Sequence, residues 1–269
     1  MSKSKINKKL GFRLGFLIAL FFLFFIGPFF LPHEPFETNI SQAFLPPSSQ
    51  HIFGTDNLGR CIFCRIIAGG KISVFTSLAV MTLSSVIGSI LGIIAGYYGG
   101  IWDKIISDII TVFQAFPSFV LAIAIAGILG QSIKNAIIAL CAVYWITYAK
   151  LSRSLVQQIR SDNYIKAAWL CGAPPTSIFF KYILPSIIGS LFITVVLDIG
   201  SVILSMAGLS FLGLGAVRPT AEWGAVISES RNFMQQAPWI IGFNGLALFL
   251  VVIGFNLFGE AMDEKINCK

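Results

Sequence analysis

Cys61 and Cys64 stand three apart in GRCIFCR, residues 59–65, with His51 ten residues upstream. C-x-x-C is the spacing of zinc sites and dithiol centres, because two thiols at that separation reach one ion or one another. The other chemically unusual side chain is Asp198, the one charge in the apolar run Tyr182–Val217. A carboxylate in the middle of a lipid-embedded helix costs at least ~2.5 kcal/mol. Asp198 is therefore expected to face protein or a water-filled path, either as a carboxylate on a substrate or ion route or as an interhelical hydrogen bond. Asp108 reads as interfacial or structural. The five cysteines, 61, 64, 141, 171 and 268, are odd in number and irregular in spacing, so they form no disulfide framework. Two histidines leave little material for a His-rich metal site.

The elements that must hold these groups read as membrane spans. The 269 residues are 56% hydrophobic and 12% charged, about half the charge of a soluble domain, and the mean hydropathy is +0.83. Uncharged or nearly uncharged runs cover Leu14–Pro32, Ile72–Trp102, Ile109–Ile133, Asn135–Ala149, Tyr182–Val217 and Asn232–Gly259. About 20 apolar residues cross the hydrocarbon, and lipid leaves backbone groups no partner except within a helix. The runs lack the alternating polarity of a β-barrel. The fold class expected is an all-α polytopic membrane protein with six transmembrane helices.

Lys3, Lys5, Lys8, Lys9 and Arg13 precede the first run. That run is longer than a signal peptide's apolar core and ends in Pro28 to Pro32 rather than at a small-residue cleavage site, so an uncleaved span is expected. With the N-terminus inside, thirteen Lys and Arg fall on the inner side against six on the outer. The imbalance predicts an N-in, C-in topology. The net charge of +7 thus reads as orientation rather than as a nucleic-acid surface. The domain organisation expected is a basic cytoplasmic segment 1–13 and one membrane domain 14–269, with outer loops 33–71 and 209–231 and an inner loop 150–185.

Ser84, Gly88, Gly92 and Gly96 recur every four residues and share one helical face. Such a face lets helix backbones approach closely, either within the chain or against a second subunit. The inner loop reads DNYIKAAWLCGAPPTSIFFKYILPS, residues 162–186. Asp162 or Asn163 can cap a short helix running through Cys171. Gly172 can end it in the left-handed conformation, and Pro175 suits the first turn of a second helix. A helix–turn–helix is expected there. AGGK at 68–71 does not complete a phosphate-cradling G-x-x-x-x-G-K-[ST], and no H-E-x-x-H or nucleophile elbow occurs. No catalytic residue and no ATP hydrolysis are expected of this chain.

AAWLCG and ILP, at 167–172 and 183–185, resemble the EAA loop, E-A-A-x3-G-x9-I-x-L-P, of binding-protein-dependent ABC importer permeases. Lys166 stands at the Glu position and Tyr182 at the Ile position, with Ile183 beside it. HIFGTDNLGRCIFCR resembles the H-x-x-G-T-D-x-x-G-R-D-x-x-S-R signature of the dipeptide/oligopeptide/nickel permeases, with Cys61 at the Asp position and Cys64 at the Ser position. AGYYGGIWD (95–103), FQAFPS (113–118), SFLGLG (210–215), PTAEWG (219–224) and FNLFGE (255–260) follow in that family's order. The chain is most similar to the shorter, "C"-type subunit, nearest the nickel and metal-chelate branch.

The resemblance implies a coupling loop carried by Lys166, Ala167, Ala168, Gly172, Ala173, Pro174, Ile183, Leu184 and Pro185. It implies an outer-loop signature of His51, Gly54, Thr55, Asp56, Gly59, Arg60 and Arg65. SFLGLG and PTAEWG place Phe211, Gly213, Gly215, Glu222 and Trp223 near the outer mouth. Implied partners are a second related permease, two cytoplasmic ATPase subunits that bind ATP and Mg, an extracytoplasmic binding protein and membrane lipid. The implied setting is the bacterial cytoplasmic membrane. The implied cargo is nickel or a metal chelate, with dipeptides or oligopeptides as the alternative. A proton-coupled secondary transporter using Asp198 is the rival from another class. For Cys61 and Cys64 the readings are small-residue packing, a disulfide or metal handling, and the metal candidates are these two with Asp198.

Overall fold

The computed structural model describes residues 3–267, and among them there is no strand beyond one isolated bridge, Thr55 with Cys61. Cys268 and Lys269, like Met1 and Ser2, lie outside the described residues. The helices in order are α1 (Lys3–Phe25), α2 (Ile62–Tyr98), α3 (Gly100–Gln114), α4 (Ser118–Leu129), α5 (Ile133–Ser161), α6 (Asn163–Leu170), α7 (Pro175–Ile178), α8 (Leu184–Phe211), α9 (Trp223–Ser230) and α10 (Pro238–Asn267). A π-turn, Phe179–Ile183, joins α7 to α8, so Pro175–Phe211 is one continuous helical rod. Helices α2, α5, α8 and α10 surround a core that includes Met81, Leu140, Tyr148, Ile203, Met206, Ile240 and Val251.

The small-residue face of α2 is fully used within this chain. Ser84, Gly88, Gly92 and Gly96 are all buried. A Cβ on Gly88 would overlap the Trp145 carbonyl oxygen, one on Gly92 the Ala149 carbonyl oxygen, and one on Gly96 would sit 2.7 Å from the Arg153 carbonyl oxygen. Each α2 step of four residues therefore meets a step of four on α5, and the two helices run parallel in register. Lipid supplies no hydrophobic drive between helices, so this close backbone contact is itself the source of attraction. Polar ties hold α5 to α3 and to α2 at one end. Arg153 and Asp103 form an ion pair between α5 and α3, and Arg160 Nη1 donates to the Tyr97 carbonyl at 2.8 Å.

Several expected boundaries shift. Four helices are long and apolar enough to cross a membrane, or up to five if the bent pair α3–α4 is one span, by length and composition among the described residues. The expected first span, Leu14–Pro32, is helical only to Phe25, and a 3-10 turn at Gly27–Phe30 follows. The loop expected over 33–71 ends sooner, because α2 begins at Ile62. Residues 62–71 read as loop because Arg65 and Lys71 interrupt the apolar run, yet the fully buried Arg65 belongs to the first turn of the helix. The expected third span, Ile109–Ile133, is broken by 87° between α3 and α4. Pro117 causes the break: it has no N–H and holds Phe116 away from helical geometry. The fourth span outruns Asn135–Ala149, since α5 continues to Ser161 through about three further turns carrying Lys150, Arg153 and Arg160.

Gly92→Leu should remove the properly inserted, detergent-stable protein. Gly127→Leu, at a site with nothing within 4 Å of a new Cβ, should leave its yield unchanged. Fluorescence size-exclusion of tagged variants checks this, and equal yields would contradict the packing described.

Candidate functional site

The candidate functional residues fall into three places. The first is the helical hairpin over 162–185. Asp162 occupies the N-cap of α6 with extended backbone (φ −67°, ψ 146°), but its side chain makes no capping bond. The stop is built on the main chain. Gly172 takes φ +78°, its N–H donates to the Trp169 carbonyl at 3.0 Å, and the Ala173 N–H donates to the Ala168 carbonyl at 3.1 Å. This is the Schellman arrangement that glycine permits without a Cβ penalty. Pro175 opens α7 at its first turn, as its fixed φ and missing N–H favour.

Below the hairpin, Ile165, Ile178 and Ile183 are fully buried against Val156, Ile159 and Ile187. Ile183, not Tyr182, fills the buried position, and the π-turn over 179–183 provides the register for it. Ala173 and Leu184 are partly buried against the same cluster. The opposite face is open: Tyr164, Trp169 and Leu170 are exposed, Leu170 to 89%, and Lys166, Ala167, Cys171, Pro174 and Pro185 are exposed with them. The burial of Ile165 alone on α6 marks which way the helix faces.

The second place is inside the bundle. Asp198 of α8 is half-buried, and its Oδ2 accepts a hydrogen bond from the Tyr148 hydroxyl of α5 at 2.9 Å. Tyr144, one turn away, meets Ser205 at 3.0 Å. Asp198 is thus one of two polar rungs between α5 and α8, the interhelical reading of the carboxylate. Sequence reasoning missed Tyr144 and Tyr148. The available signal was two hydroxyls four residues apart in an apolar span, each in need of a partner when buried.

The third place gathers the 51–65 signature, α9 and the end of α8. Here the signature forms a folded clasp. Asp56 Oδ1 accepts from the backbone N–H groups of Leu58 and Arg60 at 2.9 Å each, and Arg60 Nε reaches Asp56 Oδ2 at 2.6 Å. Arg60 Nη2 lies 3.1 Å from Glu229, and fully buried Arg65 lies 3.6 Å from Asp56 and 3.8 Å from Glu229. Arg218 completes the set at 3.1 Å from Glu229. Thr55 Oγ1 donates to the Gln42 carbonyl and accepts from the Leu45 N–H, while Gly54 and Gly59 both take positive φ against neighbouring backbone.

Glu222 caps α9, accepting from the Ala225 N–H at 2.9 Å and from Ser73 at 3.2 Å. Burial pushes its carboxyl above the usual range, and the bonds from the Ala225 and Gly224 backbone only partly offset that. Trp223 is wholly buried and donates from Nε1 to the Ile66 carbonyl at 3.0 Å. Gly213 ends α8 at φ +81°, and Gly215 packs on Ser210 where a Cβ could not fit. Phe211 stays partly exposed beside them. Cys61 and Cys64 are buried free thiols at the start of α2, with His51 buried beside them. His33 and Glu229 belong to this region too. Nothing in their sequence spacing pointed to them, because each arrives from a different part of the chain.

Residues 88–267 match the family model described as "Binding-protein-dependent transport system inner membrane component". The chain is 39% identical to the dipeptide transport system permease protein DppC of Alkalihalophilus pseudofirmus, over 94% of this chain and 82% of that protein. It is 36% identical to the nickel transport system permease protein NikC of Escherichia coli K12, over 93% and 91%. Against the glutathione transport system permease protein GsiD of Escherichia coli O6:K15:H31 the identity is 42%, over 83% and 74%. Among solved structures, an inward-facing form of the MetNI methionine ABC transporter shares the fold, with TM-score 0.56 at 17% identity over 73% of this chain and 94% of that one.

Arg60→Ala leaves Asp56 and Glu229 buried with one cation fewer, and should destabilise the solubilised protein by about 3–5 kcal/mol. Arg218→Ala, whose side chain is 77% exposed, should cost under about 1 kcal/mol. Thermal unfolding of the two variants side by side checks the difference. For Glu222 the sign follows from its raised carboxyl: the folded form keeps a proton that the unfolded form releases. Stability should therefore fall as pH rises from about 4.3 through the folded-state value, and Glu222→Gln should flatten that slope.

Proposed function

The chain belongs to the family of binding-protein-dependent transport system inner membrane components, and from that premise we propose that it forms half of the translocation pathway of a bacterial ATP-driven importer. A second, related permease chain supplies the other half. In this reading α1 is a sixth crossing added to α2, α3–α4, α5, α8 and α10. Both termini lie on the cytoplasmic side, in keeping with the thirteen-to-six distribution of Lys and Arg. Two ATPase subunits, which bind the ATP and Mg, dock on the 162–185 hairpin, and an extracytoplasmic binding protein delivers cargo at the opposite end, near 33–61 and 212–231.

The observation that carries the coupling role is the shape of the hairpin. Its Ile165, Ile178 and Ile183 are anchored in a buried cluster, and its other face offers Tyr164, Trp169 and Leu170 to a partner. A helix held this rigidly transmits the closure of an ATPase pair rather than absorbing it. The spans then rock between inward-open and outward-open states. Lys166 at the usual acidic position leaves the contact resting on apolar area and shape rather than on a carboxylate.

The cargo proposed is nickel or a small metal chelate; Tyr148 bonds Asp198 through Oδ2, and in this reading the other carboxylate oxygen offers a cationic group a place on the path. A dipeptide is the second reading, favoured by the 39% identity to a dipeptide permease. Its free amino group would suit the same carboxylate.

The test is uptake by cells expressing this chain with its second permease, ATPase and binding protein, supplied with radiolabelled nickel or a labelled dipeptide. Energy-dependent nickel accumulation is expected, whereas accumulation of the dipeptide alone would replace the first cargo reading with the second. Gly172→Val imposes about 1–2 kcal/mol of left-handed strain and should lower uptake more than tenfold while the subunit still inserts. Gly172→Asn, which tolerates that conformation, should retain it. Normal uptake by Gly172→Val would overturn the coupling role.

A further inference from the structure

His33, His51 and Cys61 come together where the 31–61 segment folds onto the start of α2. Each offers one ligand atom, and these atoms all lie within 4.8 Å of one another. The two imidazole rings are 4.7 Å apart and tilted by 34°. His51 is buried at 4% exposure, and its Nδ1 has no hydrogen-bond partner. A buried ring nitrogen left without a partner is unfavourable unless a ligand satisfies it. The Cys61 thiol contacts both His51 and the Cys64 thiol, and the His33 backbone hydrogen-bonds Cys64. Two imidazoles and two thiols thus converge from three parts of the sequence.

We propose that this chain binds one zinc-class divalent ion through His33, His51, Cys61 and Cys64. Zn–N bonds near 2.0–2.1 Å and Zn–S bonds near 2.3 Å place tetrahedral ligand atoms about 3.3–3.8 Å apart. For His33, His51 and Cys61 the observed upper bound of 4.8 Å closes to that spacing with side-chain rotation, and Cys64, which interacts with the Cys61 thiol, would turn in as the fourth ligand. The backbone is already fixed: the Ser48 and Gly54 N–H groups donate to the His51 carbonyl, and Cys61 is bridged to Thr55. Two thiolates neutralise the ion, so the site adds no net charge beside the buried Asp56, Glu229, Arg60 and Arg65. Thiolate and imidazole ligands select zinc over magnesium, calcium or manganese. The ion is resident, a staple on the signature clasp, and is separate from any metal carried as cargo. Its presence does not depend on which cargo the importer moves.

The test is metal analysis of the full-length chain in complex with its partner subunits, purified without a polyhistidine tag and equilibrated with zinc. About one zinc per copy of this chain is expected. His33→Ala and the double variant Cys61→Ser, Cys64→Ser should lose it, and Cys171→Ser should keep it. Serine is close to cysteine in size and adds no carboxylate to the site, so the double variant removes both thiolate ligands without supplying another. Cobalt in place of zinc should give thiolate-to-metal charge-transfer absorption in the wild type and none in the double variant. No stoichiometric zinc in the wild type, zinc retained by the double variant, or a Cys61–Cys64 disulfide in peptides from protein prepared without reductant would each overturn the proposal.

Discussion

The rest of the structure depends on the approach of α2 to α5. Carbonyl oxygens of Trp145, Ala149 and Arg153 sit where side chains on Gly88, Gly92 and Gly96 would otherwise be. Two parallel helices this close cannot be joined by a short turn, so the chain must return across the bundle between them, and the bent pair α3–α4 is that return. With α5 fixed, Tyr148 and Tyr144 point to α8 and fix it by hydrogen bonds to Asp198 and Ser205. With α8 fixed, α9 can lie on it, because Gly224 has no Cβ to collide with the Ala207 carbonyl. One row of absent side chains thus sets the spacing on which the α8 and α9 contacts are built.

The signature at 51–65 shows how a stretch rich in charge and glycine can be read as a surface loop and yet be interior. Asp56, Arg60 and Arg65 are each under 4% exposed. Their burial is tolerated because two carboxylates and the guanidinium groups around them balance, with backbone N–H groups of Leu58 and Arg60 completing Asp56. Charge compensation of this kind offsets the cost of taking the charges out of water rather than adding much net stability. The clasp is a rigid platform at its end of the bundle. Glu222 and Trp223 serve the same platform as a cap and an anchor, with no exposed surface of their own.

What the sequence made legible was what depends on local rules. The helical class followed from composition, the use of the small-residue face from a spacing of four, and the Gly172 stop from one glycine before two prolines. Boundaries were less legible where a polar residue sits inside a helix. Arg65 masked ten residues of α2, and Lys150, Arg153 and Arg160 masked the last twelve residues of α5, because hydropathy cannot distinguish a charge in water from one paired with Asp103 or Asp56. Partners distant in sequence were not legible at all. Tyr148 with Asp198, Glu229 with Arg60, and His33 with Cys61 are products of packing, and no local pattern encodes them.

The π-turn at Phe179–Ile183 has a mechanical consequence. The rod Pro175–Phe211 carries the hairpin at one end and the Asp198 rung in its middle. A π-turn holds about one residue more than the α-turn it replaces, so it sets an angular offset of about 100° between the faces on its two sides. That offset lets Ile178 and Ile183 be buried together while Asp198 still meets Tyr148. The rod therefore behaves like a shaft with a keyed joint. Under the coupling role proposed above, torque applied at the hairpin would reach the bundle interior at the phase this joint dictates, and relaxing the joint to ordinary helix would shift the hairpin and Asp198 by that offset relative to one another.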